Sequence, residues 1–124
     1  MSKVGKGSMF VVGALAALSV AVTGAFGGPA TQSATTVAVT AGKPSEFRFI
    51  VKPKIVKKGI VTFKVANKGM LAHDFKVAGK KTKTLAKGKT ATLRITFKKA
   101  GKYAYLCTLP SHAAAGMKGV LVVK

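Results

Sequence analysis

Acidic side chains are almost absent from this chain, which has only Glu46 and Asp74 among its 124 residues. Acid–base hydrolysis usually depends on a pair of carboxylates, or on a carboxylate that orients another catalytic group, so little material for it is present. The sequence also lacks a glycine-rich nucleotide-binding loop and a nucleophile triad. We therefore expect a protein that is not an enzyme.

Cysteine and histidine are equally scarce, since Cys107 is the only cysteine and His73 and His112 are the only histidines. One cysteine cannot form a disulfide within the chain. Its thiol must therefore be buried, reactive or bound to a metal. A reactive free thiol is a liability in an oxidising compartment, which favours burial or metal ligation.

The N-terminal segment is typical of a signal for export. Two lysines precede an apolar run over residues 9–26, and small residues follow it. Cleavage of a signal peptide is expected after Ala25 or Ala30. The run is nearly long enough to span a bilayer, so its retention as a membrane anchor is the alternative. The chain is accordingly divided into a signal or anchor at 1–30 and one domain at 31–124.

Positive charge dominates the composition, with 22 basic residues and a formal net charge of +20. Such a surface attracts an acidic protein, anionic lipid headgroups, an acidic cell-wall polymer or nucleic acid. Nucleic acid is the least favoured, because base reading relies mainly on arginine and only Arg48 and Arg94 are present. Many lysines lie at turns or alternate with apolar strand residues, where solubility and protection of sheet edges account for them equally well.

From residue 35 onward, apolar residues recur with a period of two, which predicts β-strands. The alternating residues are Val37 and Val39; Phe47, Phe49 and Val51; Val61, Phe63 and Val65; Phe75 and Val77; Leu93, Ile95 and Phe97; Tyr103, Tyr105 and Cys107; and the run Val120 to Val123. Glycine and proline turn signals separate these segments. About seven or eight strands in so short a domain predict an all-β fold, either an antiparallel sandwich or a barrel.

Near the C-terminus, Cys107, His112 and Met117 recur at five-residue intervals. A thiolate, an imidazole and a thioether form a soft ligand set that suits copper cycling between Cu(I) and Cu(II), whereas zinc sites favour several cysteines, histidines or a carboxylate. His73 is the only histidine left to complete such a site. Each residue alone is more commonly structural, but their joint spacing at the end of a strand argues against coincidence.

The C-terminal motif resembles the copper loop of the cupredoxins, the plastocyanin and azurin superfamily. Cys107-x4-His112-x4-Met117 is preceded by Lys-Tyr-Ala-Tyr-Leu and followed by Lys-Gly-Val-Leu-Val-Val, and its spacing is most similar to that of rusticyanin and auracyanin. The resemblance covers roughly residues 35 to 124 and implies a Greek-key sandwich, one copper ion and one-electron transfer. It also implies that His73, Cys107 and His112 are equatorial ligands and that Met117 is the long axial ligand.

One position departs from the family pattern. Asp74 follows the first histidine, where asparagine is common in cupredoxins. A carboxylate beside the ligand loop would stabilise Cu(II) relative to Cu(I). We therefore expect a lower reduction potential than in an Asp74→Asn variant.

These observations lead to an exported type 1 copper protein that carries one electron at a time between redox partners. The alternative is a periplasmic copper-binding or chaperone protein without a role in electron transfer. A metal-free adhesive sandwich whose lysines bind an acidic polymer is a third possibility. Multicopper catalysis is disfavoured, because it requires further histidine clusters and the chain has no histidines to spare.

The charge and the resemblance together indicate the partners. The expected redox partner is an acidic protein such as a cytochrome or an oxidase, reached by electrostatic steering. Association with an anionic membrane surface is a further expectation, and nucleic acid is not expected as a partner. The protein is expected to be a monomer in the periplasm or another extracytoplasmic space, with residues 9–26 as its membrane anchor if they are retained.

Overall fold

A computed structural model describes residues 34–124, which form nine strands and no helix. The strands are β1 (Ala34–Ala41), β2 (Phe49–Lys52), β3 (Ile55–Val56), β4 (Gly59–Asn67), β5 (Lys76–Val77), β6 (Lys80–Lys81), β7 (Thr90–Phe97), β8 (Gly101–Leu106) and β9 (Lys118–Val123). The predicted signal or anchor segment at 1–30 lies outside the described residues. Among residues 34–124, no helix is long and apolar enough to cross a membrane.

The strands form two sheets, one ordered β2-β1-β4-β7 and the other β3-β9-β8-β5-β6. The predicted all-β sandwich is therefore confirmed. Its strands are not all antiparallel as expected, because β1 pairs with β4 and β3 pairs with β9 in parallel. Parallel partners cannot be joined by a hairpin, and the chain between β1 and β4 accordingly passes through β2 and β3. The number of strands exceeds the expected seven or eight because β3 and β6, which have only two residues each, show no alternation in the sequence.

The hydrophobic core lies between the sheets and follows the predicted alternation. In β4, Val61, Phe63 and Val65 are buried while Lys64 is exposed. The ring of Phe63 lies 5.4 Å from that of Phe75, which brings the chain just before β5 against the middle of β4. Each such fully buried apolar side chain contributes roughly 1.5–3 kcal/mol relative to exposure. This burial stabilises the sandwich that carries the loops.

The alternation is less strict at the edges of the core. Leu93 and Tyr103 are only partly buried, and Val120 is 46% exposed. Phe47 precedes β2, and Cys107 follows β8 instead of ending it. Val120 is exposed because Leu121 and Val123, on the opposite face of β9, are the residues that point into the core. The other differences arise near strand ends or at the edge strand β7.

The loops collect at two opposite ends of the sandwich. We call the loops 42–48, 68–75 and 107–117 the ligand end, because they carry the predicted ligands. The distal end comprises the segment 53–58, which includes β3, and the loop 98–100 with the strand residues that adjoin them. At the ligand end, Gly42 has a φ of 84°, and a side chain there would collide with the backbone of Gly69. This close approach joins the loops that follow the parallel strands β1 and β4.

Candidate metal centre

The four predicted ligands are carried by loops at the ligand end. His73 forms an isolated antiparallel bridge with Leu85, and the two exchange both backbone hydrogen bonds, at 3.0 and 2.8 Å. Cys107 follows β8 directly, and Met117 immediately precedes β9. Between them, residues 109–116 form turns whose backbone bonds run from Ala115 and Met117 to the carbonyl of His112, both at 3.1 Å. The turns fold the five-residue intervals back over the end of the sheet.

Three of the predicted ligand side chains converge on one point. The Nδ1 atoms of His73 and His112 lie 3.2 Å apart, and Cys107 Sγ lies 3.4 Å from His112 Nδ1. One donor atom from each of the three residues lies within 4.8 Å of the others. An ion about 2.0–2.3 Å from nitrogen and sulfur donors keeps those donors roughly 3–4 Å apart. The three side chains therefore fit one metal ion.

Met117 is fully buried beside the convergent donors. It belongs to a small apolar cluster with Ala41 and Cys107, against which Phe47, Phe49 and Leu109 pack. The amide of Cys107 donates to the carbonyl of Met117 at 3.1 Å, which ties the two ends of the loop together. A thioether in this apolar cluster is a weak, soft ligand suited to copper.

Glu46 also belongs to the centre, although the sequence analysis assigned it no role there. Its Oε2 lies 2.6 Å from Nε2 of His73. Its carboxylate also accepts from the amides of Met70 at 2.8 Å and Leu71 at 3.1 Å. These amide bonds and the contact with His73 outweigh partial burial and lower the pKa of Glu46 from 4.5 to about 2. The scarcity of acids in a chain of charge +20 was the one signal in the sequence that could have drawn attention to it.

The contact with Glu46 determines which nitrogen of His73 is available. An ionised carboxylate only accepts hydrogen bonds, so Nε2 of His73 carries the proton that it donates to Glu46. In the neutral ring, Nδ1 then holds the lone pair, and this atom faces His112. Carboxylate–histidine contacts of this kind orient metal-binding rings and make them more basic. Glu46 therefore prepares His73 to bind a metal through Nδ1.

The loop between β4 and His73 is held by the buried side chain of Asn67. Its Nδ2 donates to the carbonyls of Leu71 and Leu85, both at 2.8 Å, and its Oδ1 accepts from the amide of Gly69 at 2.9 Å. A Cβ atom on Gly69 would collide with Oε2 of Glu46 and lie 3.0 Å from Nε2 of His73. The absence of a side chain at Gly69 thus leaves room for the carboxylate–imidazole contact.

Asp74 connects the histidine loop to the cysteine loop. Its amide donates to Sγ of Cys107 at 3.5 Å. Its buried carboxylate accepts from the amide of Thr108 at 2.6 Å and from the hydroxyl of the same residue. Nζ of Lys81 lies 3.8 Å from the carboxylate and partly balances its charge. The negative charge of Asp74 therefore lies beside the loop that contains Cys107.

Burial shifts the pKa values of two of the predicted ligands, Cys107 and His112. It raises the pKa of the Cys107 thiol, because an apolar environment disfavours the thiolate. It lowers the pKa of His112, and the neighbouring His73 lowers that pKa further. Both shifts favour the uncharged forms, a protonated thiol and a neutral imidazole. Binding of a metal through the thiolate therefore releases a proton.

His112 lies at the boundary between the centre and solvent. Its side chain is half-buried, and the ring of Phe47 meets it edge to face at a centroid distance of 5.0 Å. His73, in contrast, is fully buried. Exposed apolar side chains at Met70 and Leu71 lie on the loop that precedes His73. Of the four predicted ligands, only His112 is not fully buried.

Known proteins share both this sequence pattern and this fold. The profile of the plastocyanin/azurin family of copper-binding proteins matches residues 33–124. No curated protein matches the chain. Auracyanin A from Chloroflexus aurantiacus superposes with a TM-score of 0.60 at 19% identity, covering 74% of this chain and 100% of its own. Auracyanin B superposes with a TM-score of 0.62 at 22% identity, covering 76% of this chain and 91% of its own.

Rusticyanin from Thiobacillus ferrooxidans has the same architecture, with a TM-score of 0.58 at 25% identity over 73% of this chain and 77% of its own. The family profile spans the whole described sandwich, including all four predicted ligands. The convergent donors of His73, Cys107 and His112 fit the metal for which the family is named. The chain therefore belongs to the plastocyanin/azurin family of copper-binding proteins, the cupredoxins.

Proposed function

We propose that this cupredoxin is an exported one-electron carrier with a type 1 copper centre. The observation that carries the proposal is the convergence of one thiol and two imidazoles within 4.8 Å at one end of a packed sandwich. Copper bound there would supply a Cu(I)/Cu(II) couple. The chain's own task is to hold the donors, exclude water and present an edge to the partner.

The four ligands take different roles in the proposed centre. His73, Cys107 and His112 would hold the copper ion, since their donor atoms converge. Met117 would supply a weaker fourth donor, which its burial against Cys107 supports. The thiolate of Cys107 provides the most covalent link between the ion and the polypeptide.

The centre is suited to fast electron exchange because hydrogen bonds within the chain hold its side chains in place. Glu46 fixes His73, Asp74 fixes the loop after Cys107, and the turns at 109–116 fix His112. A site that is already arranged for both oxidation states reorganises little when the charge changes. The half-buried His112 is the proposed edge through which the electron leaves.

Substitution of the thiolate ligand tests the proposal. Cys107→Ser should abolish the intense visible absorption of thiolate-bound copper and the corresponding EPR signal. The control is Met70→Leu, because Met70 is 70% exposed on the neighbouring loop and is no predicted ligand, so this variant should keep its colour. A copper-loaded parent protein without the intense thiolate-to-copper band would overturn the proposal.

The second candidate is a copper-delivery protein that does not exchange electrons. Two features favour it: the predicted ligand His112 is only half-buried, and the side chain of Met70 is exposed on the loop that precedes His73. A soft donor at the mouth of a site can receive Cu(I) from it. Rapid electron exchange with a cytochrome supports the carrier, whereas copper transfer to an acceptor apoprotein at a comparable rate supports delivery.

The proposed setting follows from the charge and the N-terminal sequence. A net charge of +20 suits docking onto an acidic redox partner such as a cytochrome or oxidase. Export to the periplasm or a comparable space is proposed from the apolar run at residues 9–26, which serves as a membrane anchor if it is retained. We propose that the chain acts there as a monomer and not as an enzyme.

A further inference from the structure

The distal end of the sandwich carries a dense group of basic side chains. All of them are exposed, and they lie on the distal loops or at the adjoining strand ends: Lys54, Lys57, Lys98, Lys99, Lys102 and Lys124. The strand register brings them together, because Gly101 pairs with Val123 and Gly59 pairs with Phe97. Residues that are far apart in sequence thus form one basic surface.

No acidic side chain of the described residues lies on this surface. Glu46 contacts His73 and Asp74 contacts Thr108, so both acids are at the ligand end. The only ion pairs in residues 34–124 that involve them are those with His73 and Lys81. Among residues 34–124, acidic side chains therefore offset positive charge at the ligand end and not at the distal end.

The path of the chain connects this surface to the apolar N-terminal run. The first described residue, Ala34, pairs with Ile60 at the start of β4, which places it at the distal end. Residues 27–33 are all that separates it in sequence from the apolar run at 9–26. So short a segment spans at most about 25 Å when fully extended. A membrane that holds the apolar run therefore lies within reach of the distal lysines.

An exposed apolar residue lies among the lysines. Ile55 is 55% exposed, although it occupies strand β3 between Lys54 and Lys57. Lysines around an apolar side chain suit a lipid–water interface, where the apolar part enters the headgroup region and the ammonium groups meet phosphates. Clusters of four to eight lysines next to an apolar anchor are typical of segments that bind anionic lipid.

We propose that the distal end binds an anionic lipid surface through these lysines and Ile55. This contact places the ligand end on the side that faces away from the membrane. His112 is then accessible to a soluble partner or to one that projects from the same membrane. The inference concerns the end opposite the metal centre, so it holds for an electron carrier and for a copper-delivery protein alike.

The test compares two triple variants of the full-length, copper-loaded chain. The distal variant is Lys57→Gln, Lys98→Gln and Lys99→Gln, and the matched control is Lys83→Gln, Lys87→Gln and Lys89→Gln near the ligand end. Both remove the same charge from exposed positions and leave residues 9–26 unchanged. Binding is measured by flotation with phosphatidylcholine vesicles and with vesicles that also contain phosphatidylglycerol.

The parent protein should bind the phosphatidylglycerol vesicles more tightly, and this preference should weaken as salt rises. Each lysine next to anionic lipid contributes roughly fivefold, so the distal variant should lose about a hundredfold of the preference. The control variant should lose less than about threefold. On these vesicles, amide hydrogen exchange should slow at residues 54–59 and 97–102 but not at 109–116.

Three results would overturn the inference. Equal losses in the two variants would mean that total charge, and not the distal surface, determines binding. Slowed exchange at 109–116 would mean that the ligand end faces the lipid. Tighter binding of the parent protein to soluble poly-glutamate than to the vesicles, with a loss of this binding only in the distal variant, would assign the surface to an acidic polymer. Unchanged visible absorption in both variants verifies that they are folded and loaded.

Discussion

A single carboxylate has three separate effects at the residue scale. Glu46 accepts from two loop amides, orients His73 and brings a negative charge close to the donors. The loop that contains it contributes no ligand of its own. In a chain with two acids, both lie against the metal centre, one beside each of two ligands. Both negatively charged side chains of residues 34–124 therefore lie at the candidate metal centre.

Substitution of Glu46 by glutamine should alter the metal affinity and the potential. The amide removes the negative charge and weakens the orientation of His73, so Cu(II) should bind at least about tenfold more weakly. Because the affinity for Cu(II) falls more than the affinity for Cu(I), the reduction potential should rise, by about 59 mV for each tenfold difference between the two losses of affinity. Competitive titration and voltammetry measure the two effects. Unchanged values in Glu46→Gln, with Glu46→Asp as the conservative control, would contradict this role.

Asp74→Asn tests the second carboxylate. Its charge lies against Thr108, next to the thiolate ligand, and Lys81 offsets part of it. The variant should have a higher potential than the parent, by a smaller amount than Glu46→Gln. Asparagine can still accept from the Thr108 amide, so the loop should keep its position. Equal voltammetric midpoints in Asp74→Asn and the parent would eliminate the charge effect.

The stability of the metal-free protein should depend on pH through Glu46. Its pKa of about 2 in the folded chain lies below the ordinary value of 4.5. The unfolded state therefore binds a proton more readily, so the stabilisation is present above pH 4.5 and is lost as the pH falls towards 2. Thermal unfolding across this window should show a falling midpoint in the parent. In Glu46→Gln the slope should be smaller, and an equal slope would exclude Glu46 as its source.

At the scale of elements, the centre results from loops that follow strands of both sheets. The loops after β1 and β4 lie side by side because these strands are parallel partners. The loop after β8 and the start of β9 come from the other sheet. Each loop is anchored by hydrogen bonds to its neighbours, so a change in one loop is transmitted to a ligand in another.

Gly69→Ala should disturb the centre from a position that carries no ligand. The added methyl group would occupy space held by the Glu46 carboxylate and the ring of His73. Overpacking of this kind costs about 1–3 kcal/mol, and the displaced carboxylate should weaken Cu(II) binding as well. Calorimetry and copper titration measure the two losses.

Gly88→Ala is the control for that substitution. Its φ of 79° makes alanine strained, yet no atom lies within 4 Å of the added Cβ. This variant should lose stability but keep the copper affinity and potential of the parent. If Gly69→Ala behaves in the same way, the contact between Glu46 and His73 does not depend on the space at Gly69.

Charge and connectivity determine behaviour at the scale of the whole molecule. Lysines occupy both ends of the sandwich, but the two acids lie only at the ligand end of residues 34–124. The ligand end thus combines apolar side chains with partly balanced charge, whereas the charged side chains of the distal end in residues 34–124 are all basic. We interpret the first as the surface for a redox partner and the second as the surface for lipid.

Electron transfer to an acidic partner should slow as ionic strength rises. Steering by a charge of +20 accelerates encounter at low salt and is screened when the Debye length falls to about 3 Å near 1 M. In stopped-flow experiments, the second-order rate constant with an acidic cytochrome should fall by roughly a hundredfold between low salt and about 1 M salt. An uncharged small electron donor serves as the control. A rate with the cytochrome that does not vary with salt would leave the lysines a solubilising role alone.

Much of the fold could be predicted because the alternation of apolar residues is local. The alternation in β4 and β7 predicts a half-buried strand without knowledge of any partner. The parallel pairing of β1 with β4 could not be predicted, since strand partners depend on contacts between distant segments. The short strands β3 and β6 have too few residues to show any period.

The sequence by itself determined the set of donors, because one cysteine and two histidines allow no other combination of these residue types. It also determined the basic character of the surface. Only the tertiary structure decided which groups adjust the donors. Glu46 is 27 residues from His73, and Asp74 is 34 residues from Thr108. Such contacts arise when packed strands bring their loops together, and the segments of the chain taken singly do not specify them.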